Sequence, residues 1–164
     1  MKIGVLSDTH GFLHPQTASF FAPCDQIWHA GDIGNIDVYT ALQNMKPLQA
    51  VYGNIDGKDI RLKTKEHICF EVETLKVLMM HIGGYPPKYN SRSIQLIKEY
   101  RPDIFVCGHS HILKVLYDEK YNLLAINPGA AGHYGFHQAI TFLRFDILNG
   151  KPCNLEVFHE EKSS

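Results

Sequence analysis

Short apolar runs alternate with helical patterns in the first third of the chain. The runs Lys2 to Leu6, Gln26 to Ala30 and Leu48 to Tyr52 predict strands. Pro15 to Ala22 predicts a short helix with proline in its first turn, and Ile36 to Met45 predicts a second helix because its apolar residues recur at helical spacing. Strands that alternate with helices favour parallel pairing in a sheet covered by helices.

The rest of the chain is richer in hairpins. Ser91 to Tyr100 predicts a helix that ends before Pro102. The predicted strands are 67–73, 76–81, 104–107, 113–117, 123–126, 140–147 and 155–158. This order favours an α/β fold with two mixed sheets flanked by helices, in a single domain over residues 1–164. We interpret residues 160–164 as a frayed tail.

Composition and charge narrow the functional classes. The chain has 164 residues, 45% hydrophobic residues and a formal charge of -1, which is typical of a globular domain and gives no overall attraction to nucleic acid or membranes. No apolar run approaches the ~18 residues of a membrane span. The four cysteines lack C-x-x-C spacing, and we expect reduced thiols in a cytoplasmic protein.

Histidine is unusually frequent, with 10 residues, and metal-ligand residue types cluster where predicted strands end. Glycines precede three of these positions, at Gly31, Gly53 and Gly108, where the backbone must turn sharply. The candidate ligands are Asp8, His10, Asp32, Asn54, His81, His109 and His111. Because the carboxyl ends of strands in open α/β sheets line the ligand crevice, we expect these residues to converge on one site.

Three side-chain oxygens and four imidazoles can form two four-ligand sets if one carboxylate bridges them. Mixed oxygen and nitrogen ligands without thiolates suit Mn²⁺, Fe or Zn²⁺. We expect two divalent ions, with Mn²⁺ favoured and Zn²⁺, Fe or Ni²⁺ as alternatives. Such a pair can lower the pKa of a bridging water and clamp a phosphoryl group for in-line attack.

This ordered pattern, together with Asn127-Pro128-Gly129, resembles the calcineurin-like metallophosphoesterase superfamily over residues 2 to about 147. It is most similar to the small cap-less branch, whose bacterial members are phosphodiesterases and whose eukaryotic relative is a retromer scaffold subunit. The resemblance implies a four-layer α/β/β/α sandwich with a dinuclear site between the sheets. One ion would be held by Asp8, His10, Asp32 and His111. The other would be held by Asp32 as the bridge, Asn54, His81 and His109.

The resemblance also implies a reaction, the hydrolysis of a small phosphoester by a metal-bridging hydroxide. Asn54 and His81 would help to orient the phosphate, while His10 or a metal-bound water would protonate the leaving oxygen. Asp56 would steady the site without binding metal. Many phosphomonoesterases of the superfamily have a histidine after the asparagine of the third motif as proton donor, but this chain has Ile55. We therefore expect better activity on phosphodiesters than on unactivated monoesters.

Some alternatives stay open. A scaffold that binds metal without catalysis would use the same fold, and a nuclease for long nucleic acids is disfavoured because no basic stripe exists. A small phosphoester or nucleotide is the expected substrate, and a homo-oligomer follows by analogy with the family. His29 is either close to the metal cluster or a half-buried strand residue. His133 and His137 lie in a loop that reaches the substrate or only packs, and His14 is expected at the surface.

Overall fold

The first three strands of the chain lie side by side in one sheet. In the computed structural model, which describes residues 1–163, they pair in parallel, and two long antiparallel strands complete the sheet. The strands are β1 (Lys2–Leu6), β2 (Gln26–His29), β3 (Leu48–Ala50), β11 (Ala139–Leu148) and β12 (Lys151–Glu161). Their order across the sheet is β12-β11-β1-β2-β3.

The second sheet also has five strands and a parallel centre. Its order is β4-β5-β8-β10-β9, with β5, β8 and β10 parallel and the two edge strands antiparallel to their neighbours. The ranges are β4 (His67–Val72), β5 (Leu75–Met80), β8 (Ile104–Val106), β9 (Leu113–Asp118) and β10 (Leu123–Pro128). A two-stranded ribbon, β6 (Gly84–Tyr85) with β7 (Lys88–Tyr89), follows β5.

Alternation along the strands produces a layered core. Ile3 and Val5 of β1 face the second sheet, whereas Leu6 packs on the helices α1 (Thr17–Phe21), α2 (Ile36–Met45) and α3 (Lys58–Arg61). In the second sheet, Val77 and Met79 face the first sheet, while Leu78 and Met80 pack against α4 (Ser91–Tyr100). The fold is therefore the expected α/β class with four layers in the order helix, sheet, sheet, helix.

Local signals account for the helix positions. Asn35 and Asn90 precede α2 and α4, and each side chain accepts a hydrogen bond of 3.0 Å from the N–H three residues later. The helix α4 ends at Tyr100, and the next residue, Arg101, has a left-handed backbone and precedes Pro102. The structure adds α3 and the β6–β7 ribbon, which the sequence pattern does not predict. In the described part of the chain, no helix is long and apolar enough to cross a membrane.

The prediction of a frayed tail from residue 160 is wrong for its first residues. The strand β12 continues to Glu161, with Glu160 opposite Ile140, and the Glu160 carboxylate contacts the ring of His14. His14 is accordingly buried and not at the surface. The prediction failed because β12 is an edge strand, and the charged, solvent-facing residues of an edge strand resemble those of a disordered tail in composition. Residue 164 lies outside the described residues.

Candidate metal centre

The candidate ligands lie in the loops that follow the strands of both sheets. The first sheet supplies Asp8, His10, Asp32 and Asn54, and the second supplies His81, His109 and His111. Because the two sheets are stacked and these loops leave their carboxyl ends, the loops converge at one edge of the sandwich.

The residues meet in two groups of three donors, within each of which the ligand atoms lie within 4.8 Å of one another. The first group is Asp8, His10 and His111, and the second is Asp32, His81 and His109. Asn54 lines the cleft onto which both groups open. The structure therefore groups six of the seven nominated residues as donors and places the seventh, Asn54, on the same cleft.

Asp32 lies between the two groups. Its Oδ2 atom is 3.4 Å from His10 Nε2 and 3.1 Å from His81 Nε2. In the first group, Asp8 Oδ1 is 3.2 Å from His111 Nε2. Donor atoms that share one cation at ~2.1 Å lie roughly 3.0–3.4 Å apart. The observed spacing therefore matches the spacing of ligands around a metal ion, and Asp32 can reach both groups.

Each of the two carboxylates has one oxygen tied to the protein and one that faces the cluster. Asp8 Oδ2 accepts hydrogen bonds from the Ser7 hydroxyl at 2.7 Å and the His109 N–H at 3.0 Å. Asp32 Oδ1 accepts one from the Ile55 N–H at 3.1 Å. These bonds fix both carboxylates so that Asp8 Oδ1 and Asp32 Oδ2 point at the imidazoles.

The protein also fixes the tautomer of His81. Its Nδ1–H donates to the carbonyl oxygen of Ala30 at 2.8 Å, so in the neutral ring Nε2 carries a lone pair toward Asp32. The Nε2 atoms of His81 and His10 are buried, and neither has a hydrogen-bond partner among the described residues.

A second histidine fixes the tautomer of His111. His137 Nε2–H donates to the carbonyl oxygen of Gly132 at 2.8 Å, so Nδ1 of neutral His137 is an acceptor. That atom is 3.2 Å from His111 Nδ1, which must therefore be the donor. The chain of bonds leaves the lone pair of His111 Nε2 facing Asp8 Oδ1.

The donor set fits a pair of cations. In neutral His81 and His111, a nitrogen lone pair faces a carboxylate oxygen at 3.1 and 3.2 Å, respectively. Two acceptors at this distance repel each other unless a positive charge lies between them. A divalent cation would satisfy both members of each pair, whereas an ordinary hydrogen-bond network would require protonated imidazoles.

The pKa shifts also indicate that negative charge is concentrated at the donor cluster. Burial opposes ionisation of Asp8, but the neighbouring imidazoles of His10, His111 and His81 outweigh it and hold the pKa of Asp8 well below its usual range. Asp32 is affected in the same way: burial raises its pKa, but the adjacent His81 lowers it, and the resulting pKa lies below its usual value. Burial lowers the pKa of His81, yet Asp32 and Asp8 raise it overall. The carboxylates thus stay ionised and attract positive charge.

Several of the donors have a strained backbone. Left-handed φ angles between 47° and 71° occur at Asp8, His10, Asp32, His109 and His111. Each such residue costs on the order of 1 kcal/mol, and this conformation persists where the surrounding structure imposes it, commonly at functional sites.

Asp56 and Gly53 hold the Asp32 loop against the Asn54 loop. The Asp56 carboxylate accepts three backbone hydrogen bonds, from Ile33, Gly34 and Gly53, at 2.8–3.1 Å. A Cβ atom on Gly53 would overlap Asp32 Oδ1 and the backbone nitrogen of Asp32. Asp56 therefore contacts the backbone and not the donor cluster, and Gly53 is required by close approach.

The sequence left the roles of His29 and His137 open. His29 is fully buried below the cluster, where it accepts from the Gly31 N–H and bonds the Thr9 hydroxyl, and burial lowers its pKa to about 4. It is a neutral residue that ties two of the loops together. His137 contacts His111, a pairing across 26 residues that no local pattern signals.

The donors open onto a cleft of about 850 Å³. Its other walls come from the segment after β8 and from residues 134–139. We call residues 132–137 the aromatic loop. Ile55 lines the cleft with its side chain 47% exposed, so an apolar group stands where a proton donor would otherwise face the substrate.

Comparisons with known proteins identify relatives of similar sequence and fold. A protein of Methanothermobacter thermautotrophicus described as a probable metallophosphoesterase is 31% identical over 138 residues, which cover 79% of this chain and 77% of that protein. The solved structure of an archaeal phosphodiesterase superposes with a TM-score of 0.78 at 26% identity, covering 96% of this chain and 100% of that one. Vps29 of Entamoeba histolytica, solved in complex with Zn²⁺, shares the fold with a TM-score of 0.73 at 16% identity, with 98% and 99% of the two chains covered.

The family model for the calcineurin-like phosphoesterase superfamily domain matches residues 1–150. This match includes every strand except β12 and every candidate donor, and it agrees with the curated relative and the solved phosphodiesterase. The chain belongs to the calcineurin-like phosphoesterase superfamily.

Proposed function

We propose that this chain is a phosphodiesterase that depends on two divalent cations. The observation that supports this most strongly is the pair of facing acceptors, His111 Nε2 with Asp8 Oδ1 and His81 Nε2 with Asp32 Oδ2. The two acceptors of each pair repel each other unless a positive charge lies between them. Family membership supports the hydrolase class, and the related archaeal phosphodiesterase supports diesters as substrates.

Asp32 is the proposed bridge between the two cations. One cation would be held by Asp8, His10, Asp32 and His111, and the other by Asp32, Asn54, His81 and His109. Mn²⁺ is the favoured metal, with Zn²⁺, Fe and Ni²⁺ as alternatives, because the ligands are carboxylate, amide and imidazole without thiolate. When bound, the cations would activate water and offset the charge that develops on the phosphoryl group.

The protein side chains supply orientation. Asn54 is exposed at the cleft, and its amide can donate to a phosphoryl oxygen. His81 is buried with its Nε2 toward Asp32, so it would help to orient the phosphate through the cation that it holds. Protonation of the leaving oxygen is assigned to His10 or to water, since Ile55 has no proton to give. This assignment favours phosphodiesters and activated esters over alkyl monoesters.

The substrate should be small. The chain has a formal charge of -1, so a long polyanion would gain little from the surface as a whole. The local charge of a two-cation site suffices for one phosphate group. A small phosphoester or a nucleotide therefore fits better than an extended nucleic acid.

The experiment is a comparison of Asp32→Asn with Asp37→Asn, an exposed carboxylate in the first turn of α2. Both proteins are loaded with Mn²⁺, and their metal content and hydrolysis of diester and alkyl monoester substrates are measured. We expect Asp32→Asn to lose the second metal and the diester activity with the fold intact by circular dichroism. Asp37→Asn should retain both.

Two outcomes would overturn the proposal. Full metal stoichiometry and turnover in Asp32→Asn would show that Asp32 does not bridge two cations. A wild-type protein that binds metal but hydrolyses no ester would favour the scaffold alternative.

A further inference from the structure

The cleft beside the donor cluster is apolar and aromatic where it leaves the metal centre. Of the large hydrophobic side chains that are exposed in the described chain, four line this one cleft: Ile55, Ile112, Tyr134 and Phe136. Phe136 is fully exposed and Tyr134 is 71% exposed. Exposed aromatic side chains grouped beside a reactive centre mark a binding surface more often than an accident of the surface.

The aromatic loop is held firmly even though its rings are exposed. The Tyr134 ring stacks on the His10 ring with centroids 5.0 Å apart and planes 28° apart. The centroids of the His133 and Phe12 rings are 4.0 Å apart, and the Lys162 ammonium donates to the Gly135 carbonyl at 2.9 Å. A fixed loop presents its rings to a ligand without a large loss of conformational entropy on binding.

The charge of the cleft restricts what the rings can bind. Among the described residues that line it, none is lysine or arginine, and Asp32 is the sole carboxylate. A second phosphate on the substrate would find no lysine or arginine among these lining residues, and the ammonium of the adjacent Lys162 already donates to the Gly135 carbonyl. A neutral group would face aromatic and aliphatic side chains instead, and planar aromatic groups gain most from such contacts.

We infer that Phe136 and Tyr134 form the subsite for the ester group that stays on the phosphate, and that they select diesters in which this retained group is neutral, planar and aromatic. The inference rests on the proposed phosphodiesterase function, since it assigns the part of the substrate next to the scissile phosphate. An aryl group and a nucleobase share the required chemistry.

The test uses three diesters with the same 4-nitrophenolate leaving group, so that leaving-group chemistry cancels. The second ester group is methyl, phenyl or 5′-thymidyl. For the wild-type protein, we expect kcat/KM to be roughly ten-fold higher for the phenyl or thymidyl ester than for the methyl ester, mostly through KM. The phenyl and thymidyl arms distinguish an aryl site from a nucleobase site.

In Phe136→Ala, the ratio of aromatic to methyl ester should fall close to one, and Phe136→Trp should restore it. The control is Leu148→Ala, an apolar residue that is 51% exposed and lies outside the cleft, and this variant should keep the wild-type ratio. A ratio near one in the wild-type protein, or a ratio that Phe136→Ala does not change, would overturn the inference.

Binding measured without turnover separates this inference from the proposed function. Calorimetric titration of the Mn²⁺-loaded protein with phenylphosphonate and methylphosphonate should show the same roughly ten-fold preference and the same loss in Phe136→Ala. If no ester is hydrolysed but the preference persists, the proposed function fails and the subsite stands. Absence of the preference, together with self-association that Phe136→Ala abolishes, would instead assign the patch to contact between two copies of the chain.

Discussion

His137 offers the sharpest test of how the donor cluster is held. It makes no approach to either carboxylate, yet its Nδ1 accepts the proton of His111 Nδ1 at 3.2 Å and its own Nε2–H is tied to Gly132. Replacement by alanine removes this acceptor. The His111 ring then rotates and exchanges tautomers freely, so Nε2 no longer presents a fixed lone pair beside Asp8.

The expected magnitude follows from the contact. Loss of a hydrogen bond that orients a metal-binding histidine commonly lowers metal affinity by roughly 10–100-fold. Because this bond is 3.2 Å long and half-buried, we expect a value at the lower end, about ten-fold or ~1.4 kcal/mol. The loss should fall on the site that contains His111 and leave the site of His81 and His109 nearly unchanged.

The assay is calorimetric titration of the apo protein with Mn²⁺, fitted to two sites. His133→Ala is the control, because His133 lies in the same loop but contacts Phe12 and no donor. A second readout needs no metal: ¹⁵N NMR of His111 should report a protonated Nδ1 in the wild-type protein and a tautomer mixture in His137→Ala. Equal weakening of both sites, or the same effect in His133→Ala, would refute the reasoning.

Three further substitutions probe the supports of the site. Gly53→Ala would force a Cβ atom against Asp32, so we expect loss of Mn²⁺ binding and a decrease of ~1–3 kcal/mol in the free energy of unfolding, measured with urea. Unchanged metal affinity would contradict the close approach of Gly53 to Asp32. Asp56→Asn replaces one of two accepting oxygens with an NH₂ group that faces backbone N–H donors, and should destabilise the fold by about 3 kcal/mol in the same urea experiment. A loss below ~0.5 kcal/mol would show that these hydrogen bonds contribute little to stability. Ile55→His should raise the ratio of alkyl monoester to diester hydrolysis roughly ten-fold or more by supplying a proton donor, and an unchanged ratio in parallel assays would show that leaving-group protonation does not depend on this position.

The sequence predicted those parts of the fold that depend on local chemistry. The bounds of β1, α2 and α4 follow from apolar periodicity and from asparagine caps, which act within one turn of the chain. Convergence of the donors was also predictable, because the carboxyl ends of strands in stacked sheets share an edge.

Long-range pairings were not predictable from local pattern. The contact of His14 with Glu160 joins residues 146 positions apart, and the pairing of Glu160 with Ile140 of β11 turns an expected tail into the end of β12. The bond between His111 and His137 likewise depends on how the aromatic loop folds back over the cluster. Such contacts arise from tertiary packing and leave no periodic trace in the sequence.

The central claim is that Asp32 lies between two cations. Anomalous diffraction from crystals grown with Mn²⁺ tests it directly. We predict two peaks, one beside His10 and His111 and one beside His81 and His109, with a carboxylate oxygen of Asp32 in contact with both. A single peak, or two peaks with Asp32 bound to neither or to one alone, would contradict the account.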